Sequence, residues 1–363
     1  MTGPLGQRVR RRAAPSAGAP SAERDEPAPP GSGPGGAPLL QVSDLRVRFR
    51  SRGGVVNAVQ GISFTVEPGQ TLAIIGESGS GKTVSAYALM GLLPRTAQVS
   101  GSIRFRGVEI VELGEKALQD HRGRNVAMVF QNPERSLNPT MQIGAQITEA
   151  VRRHLPLGRR QAADRAVELL RLVRIPAPER RCHEYPHQLS GGMRQRVVIA
   201  IALACEPQLL IADEATTALD VTTQAQIMDL LLDLQRELGT ALLMISHDLA
   251  LAASYADEVL VMYAGRVVER ASATDLFDNV RMPYTRALID AVPRADLESH
   301  VLLPVIGGRP PDLSTVMPGC SFAPRCPDAQ HDCRQNAPPL EEHEFGHWWA
   351  CWHPCGREAP GDF

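Results

Sequence analysis

Gly76-Glu77-Ser78-Gly79-Ser80-Gly81-Lys82-Thr83 fills every fixed position of the phosphate-binding pattern GxxxxGK[ST]. The apolar run Leu72 to Ile75 predicts a buried strand entering it, and Thr83 to Leu93 predicts a helix that stops at Pro94. The motif therefore lies between strand and helix, where a phosphate loop has to lie. Gly76, Gly79 and Gly81 let the backbone turn tightly around Ser78 and Ser80 and aim its N–H groups at phosphate oxygens. The positive end of the following helix adds to that attraction. Lys82 then reaches the β- and γ-phosphates, and the Thr83 hydroxyl ligates Mg²⁺. The stretch reads as a cradle for a nucleoside triphosphate.

Downstream companions strengthen that reading. Leu209 to Glu214 is an apolar strand ending in two carboxylates: Asp213 is placed to hold Mg²⁺, and Glu214, pointing the other way, to polarise an attacking water. Ala241 to Ile245 predicts the next strand, which delivers His247 to the same sheet edge, within reach of the γ-phosphate or the water. Before them, Val129-Phe130-Gln131-Asn132-Pro133 is a strand stopping at a glutamine and a turn. From Met141 to Val173 the apolar spacing becomes helical, so residues 133–190 read as a helical insertion. Ser190-Gly191-Gly192 then opens another helix, sterically bare enough for an anion to approach closely.

Upstream, partial alternation on both sides of Ser51-Arg52-Gly53-Gly54 predicts antiparallel strands, with Phe49 the aromatic best placed to stack on an adenine. Residues 1–38 are rich in Pro, Gly, Ala and Ser with almost no large apolar side chain, and are expected to be disordered. The basic start lacks the apolar stretch of a secretory signal, so the nucleotide site is expected on the cytoplasmic side. No apolar run reaches the roughly 18 to 20 residues of a membrane span. A net charge of -2 and 4% aromatic residues argue against nucleic acid as a partner.

The motifs in this order resemble the ATPase subunits of ABC transporters, over residues 39–276. The resemblance implies an α/β P-loop ABC ATPase core with an antiparallel β subdomain and a helical insertion. It implies roles for Phe49 in adenine stacking, Gly76 to Thr83 as Walker A, and Gln131 as the Q-loop glutamine that also reaches Mg²⁺. Ser190 to Gly192 become the signature, Asp213 the Walker B aspartate and Glu214 the catalytic carboxylate, with Asp220 in the D-loop and His247 the switch histidine. In that family two cassettes sandwich ATP, so a second ATPase is implied. A narrower resemblance, to the dipeptide/oligopeptide importer ATPases and the first of their two paired ATPases, rests on the 185–196 stretch containing Met193, on Ser136 to Pro139, on Val261 to Gly265 and on Pro283-Tyr284-Thr285. It implies two permease subunits, an extracytoplasmic substrate-binding protein, and a peripheral position on the cytoplasmic face of the cell membrane. Nickel, glutathione or another small solute is the alternative cargo, and a soluble ABC ATPase of DNA repair or translation the alternative class. Ala215 departs from the family, which usually has proline after the catalytic glutamate.

Residues 277–363 are expected to form a small Cys-rich C-terminal domain. Five of the seven cysteines lie there, too many for chance in a reducing compartment and without the CxxC pairs of common zinc sites. Cys320, Cys326, Cys333 and Cys351 suit either tetrahedral Zn²⁺ or a [4Fe–4S] cluster, with Cys355 spare. The importer resemblance favours the cluster. Far along the chain from the ATP site, it is expected to be a structural staple whose loss leaves hydrolysis intact.

Overall fold

The computed structural model describes residues 37–51, 54–216, 219–292, 304–315, 317–344 and 346–356. The expected N-terminal disorder falls almost wholly outside them. The strands among these residues are β1 (Leu40–Ser51), β2 (Gly54–Val66), β3 (Thr71–Ile75), β4 (Ala97–Phe105), β5 (Val108–Glu109) and β6 (Val126–Val129), then β7 (Leu209–Asp213), β8 (Ala241–Ser246), β9 (Glu258–Tyr263), β10 (Arg266–Ser272), β11 (Glu341–Glu344) and β12 (His347–Trp349). They form two sheets, in the orders β2-β1-β4-β5 and β11-β12-β10-β9-β3-β8-β7-β6.

The first sheet is antiparallel and grows from the β1–β2 hairpin that the alternation predicts, closed at Ser51 and Gly54. In the second, β9, β3, β8, β7 and β6 run parallel, so all their C-terminal ends meet one edge. Both faces of this sheet are covered, which is why its strands are continuous apolar runs. On β3, Leu72 and Ile74 face the antiparallel sheet, while Ala73 and Ile75 face the core shared with the helices. β7 and β8 divide their residues in the same alternating way.

The helix after the phosphate loop spans Lys82–Leu89, shorter than the sequence suggests. Gly91, at φ 60°, stops it before Pro94: its N–H bonds to the Ala88 carbonyl and the Leu92 N–H to the Tyr87 carbonyl. These two bonds satisfy carbonyls that the helix end leaves open. The insertion contains helices at Ile143–His154 and Arg159–Leu172, whose Ile147, Val151, Ala166 and Leu169 are fully buried. Helix Gly191–Ala202 leads from it into the main core through Val197 and Ile199.

The C-terminal segment does not stand apart as a small domain. β12 pairs antiparallel with β10, setting Glu269 opposite Trp349, and β11 pairs with β12. The segment lacks apolar residues for a core of its own, so it completes one by adding strands to an open sheet edge. Trp349 and Phe322, both 1% exposed, are among the side chains it buries in doing so.

Candidate nucleotide site

The phosphate loop follows β3 directly and is held open by its glycines. Gly76, at φ 148°, lies so close to β9 that an added Cβ would come within 2.2 Å of the Met262 carbonyl oxygen. Gly81, at φ 103°, precedes the helix, and a Cβ there would meet the Ala58 carbonyl oxygen at 2.5 Å. Only glycine fits either place. The Lys82 ammonium donates to the carbonyls of Gly76 at 2.7 Å and Glu77 at 2.9 Å, bending the loop around itself. Burial pulls the Lys82 pKa below its ordinary value, against the opposite pull of Glu214, Asp213 and Glu77.

Three neighbouring strands bring the other groups to this edge. From β7, Asp213 accepts a hydrogen bond from the Thr83 hydroxyl at 3.0 Å, so two of the three expected Mg²⁺ ligands already touch. Burial raises the Asp213 pKa, the Thr83 hydrogen bond opposing it, and a bound cation would reverse that shift. Glu214 has a left-handed backbone, φ 47°, pinned by its N–H to the Ile245 carbonyl at 2.9 Å. Its carboxylate accepts from the Gln131 amide at 2.7 Å and lies 3.5 Å from His247 Nδ1. Gln131 comes from just beyond β6 and His247 from just beyond β8. A hollow of about 140 Å³ lies over the loop, walled by Ser78, Gly79, Lys82, Thr83, Glu214 and Ala58 among others. A larger hollow of about 310 Å³, between β10 and the C-terminal segment, contains none of these phosphate-binding or acidic groups.

The remaining predicted residues lie outside the 140 Å³ hollow. Ser190 caps helix Gly191–Ala202, its hydroxyl accepting from the Met193 N–H at 3.3 Å. An added Cβ on Gly192 would strike Thr223 at 2.8 Å, so this bare helix end is packed as well as exposed. Asp220 caps helix Val221–Leu238 through the Thr223 N–H and hydroxyl, at 3.0 and 2.7 Å. Phe49 is half-buried against the core of the antiparallel sheet.

Residues 59–217 match the family model described as ABC transporter, and residues 268–333 the one described as oligopeptide/dipeptide transporter, C-terminal region. The oligopeptide transport ATP-binding protein OppD of Salmonella typhimurium is 49% identical over 316 residues, 87% of this chain and 94% of that one. The chain belongs to the oligopeptide/dipeptide transporter branch of the ABC ATPases. OppD of Mycobacterium tuberculosis is 51% identical over 87% of this chain, but the chain spans only about half of that relative, 52%. The dimeric structure of an ATP-binding cassette in a post-hydrolysis state bound to ADP and Pi superposes with a TM-score of 0.58 at 25% identity, covering 65% of this chain and 99% of that one.

The second centre of this ABC subunit is its cysteine pocket. Cys320, Cys326, Cys333 and Cys351 line one small cavity with Phe322, and Cys355 is outside its lining. The Cys320 N–H bonds to the Cys333 carbonyl at 2.7 Å, and the turn Phe322 to Cys326 brings the second thiol round. Cys351 arrives from the end of β12, whose neighbour Ala350 bonds to Val268. Burial pushes the Cys326 thiol up to about 11 and Cys351 up to about 12.

Sequence reasoning did not find the residue that joins the two centres. Arg325, one position before Cys326, places its guanidinium on the Walker A residue Glu77 at 2.6 and 2.9 Å. The Glu77 N–H in turn donates to the Tyr284 hydroxyl at 2.9 Å. A signal was present: a carboxylate inside an anion-binding loop needs a cation to neutralise it.

Proposed function

We propose that this chain is the ATP-hydrolysing subunit of an ABC importer of peptides, working with a second ATPase, two permease subunits and an extracytoplasmic binding protein at the cytoplasmic face of the membrane. What supports the ATPase reading above all is the meeting of Lys82, Thr83, Asp213, Glu214, Gln131 and His247 at one sheet edge. Support for peptides as cargo is the match of residues 268–333 to the importer C-terminal region.

Lys82 and the loop N–H groups bind and orient the triphosphate of the substrate. Thr83 and Asp213 fit Mg²⁺, which when bound neutralises phosphate charge. Glu214 orients and polarises the attacking water, held on target by Gln131 and His247, and His247 is placed to steady the γ-phosphoryl group. Phe49 provides the adenine contact. Ser190, Gly191 and Gly192, with Asp220 beside them, serve the facing cassette's nucleotide, so the chain needs its partner for rapid turnover. Purified with its permeases and second ATPase, the wild-type chain should restore peptide uptake to a deletion strain, and Glu214→Gln should not. Unaffected peptide uptake with loss of nickel or glutathione uptake would transfer the assignment to that cargo.

For the cysteine pocket we propose a [4Fe–4S] cluster over one zinc ion. Four thiolates around a single zinc stand about 3.8 Å apart, given Zn–S bonds near 2.3 Å. Among the described residues, the one trio of such ligand atoms within 4.8 Å of each other is Asp332, Cys333 and His353, and the other thiols are not part of it. His353 donates to Asp332 at 2.9 Å, so that trio is accounted for by a hydrogen bond. A cluster on Cys320, Cys326, Cys333 and Cys351 would supply covalent ties between the turns of the segment. Anaerobically purified protein should carry about four irons and four sulfides per chain. Serine at any of the four positions should abolish both, and Cys355→Ser should not. One zinc per chain would overturn the cluster.

A further inference from the structure

We propose that Arg325 is a positioning residue for ATP binding: it reaches from the cysteine pocket to the Walker A loop, neutralises Glu77 and holds that carboxylate away from the phosphates. This rests on the loop being an ATP site, and goes beyond it by making the C-terminal segment part of that site's geometry.

Arg325 has five N–H donors, and each has a partner. Nη1 donates to Glu77 Oε2 at 2.6 Å and to the Tyr263 hydroxyl at 3.2 Å. Nη2 donates to Glu77 Oε1 at 2.9 Å and to the Ile306 carbonyl at 3.3 Å, and Nε to the Gly307 carbonyl at 2.9 Å. The side chain is 4% exposed, with that of Glu77 at 24%. A two-pronged pair shielded on the arginine side is screened less by solvent than a surface ion pair and is fixed in geometry. Under it, Tyr263, Tyr284 and Phe322 pack ring to ring at 4.5 to 5.4 Å, fixing the angle at which the segment meets the loop. Tyr284 accepts the Glu77 N–H from the same cluster. The tyrosines of the Val261 to Gly265 and Pro283-Tyr284-Thr285 stretches thus have a place in the site, which the hydrolytic mechanism alone does not give them. Because Cys326 is the next residue, whatever closes the cysteine pocket also fixes the root of the fork.

The consequence for ATP is electrostatic. Four phosphate charges enter a loop that carries one carboxylate of its own. With Arg325 in place that carboxylate is paired; without it, an unpaired negative charge stands within the cradle. Arg325→Met should therefore weaken binding of a fluorescent ATP analogue to the full chain about tenfold, the equivalent of about 1.4 kcal/mol. Glu77→Gln added to Arg325→Met should recover at least part of that loss, and the loss should persist at temperatures where Arg325→Met is still fully folded by circular dichroism. Arg325→Lys, which keeps the charge and loses the fork, should fall between. Wild-type affinity in Arg325→Met, or further loss on adding Glu77→Gln, would overturn the proposal. Coupling is reciprocal, so ATP should slow amide hydrogen exchange across residues 320–333 in the wild-type chain, a readout needing no variant to fold. Binding of ATP without that slowing would also overturn it, whereas a wild-type chain that binds no ATP would fail the ATPase reading instead.

Discussion

The nucleotide edge and the cysteine segment reach order by opposite routes. At the edge, each functional group follows the end of a parallel strand, and strand register fixes the spacing between groups: Ile75 lies opposite Ser246, Asp213 opposite Ile245, Val129 opposite Ala212. Beyond the helix Pro283–Asp290, the described residues of the segment form only short elements: the strands Glu341–Glu344 and His347–Trp349 and the five-residue helix His331–Gln335. Its order is borrowed from the β10 edge, from two buried aromatic rings and from the thiol pocket. A site built on strand ends tolerates loss of a side chain without loss of shape. A segment held by a few anchors does not.

That contrast can be broken by comparing chemistry with stability. The largest effect expected is Glu214→Gln: turnover in the assembled transporter should fall about 100- to 1,000-fold while affinity for ATP changes little, because Lys82, Thr83 and Asp213 keep their places. Full turnover in that variant would remove Glu214 from its role. Next comes Trp349→Ala. Its buried ring stacks on His343, with centroids 4.3 Å apart, meets His347 edge-on at 5.1 Å, and has Arg281 over it at 5.6 Å. Truncation should cost about 3 kcal/mol or more and be felt first by the segment, seen as faster proteolysis there before the rest of the chain melts. A single unchanged melting transition with no new cleavage would mean that the segment is not held this way. The smallest is Asp220→Ala, which removes one helix cap and should lower the melting temperature slightly. If Asp220 also serves the facing cassette, its ATPase loss in the assembled pair should exceed what that stability change explains.

The contrast also separates what was legible in the sequence. The loop, the two carboxylates, Gln131 and His247 could be read because each is a short pattern at the end of an apolar run, and apolar runs report buried parallel strands. The helix after the loop was overestimated because Gly91 was not recognised as its stop. The cysteine segment was read as a separate staple, far from ATP, because distance along the chain was the only distance available.

The sequence by itself determined which chemical groups are on offer: the loop and lysine proposed for phosphate, the carboxylate proposed to polarise water, and the cluster of thiols proposed to hold a metal. Residue type and local spacing carry that information, since strand and helix periods are set by the backbone. Only the tertiary structure decided that Glu77 is paired, and with what. Its partner lies 248 residues away, on a turn brought home by sheet pairing at β10 and by rings packed beneath the loop. No local period encodes such a meeting, because it depends on where a sheet edge was left open and on which buried charge needed an opposite one.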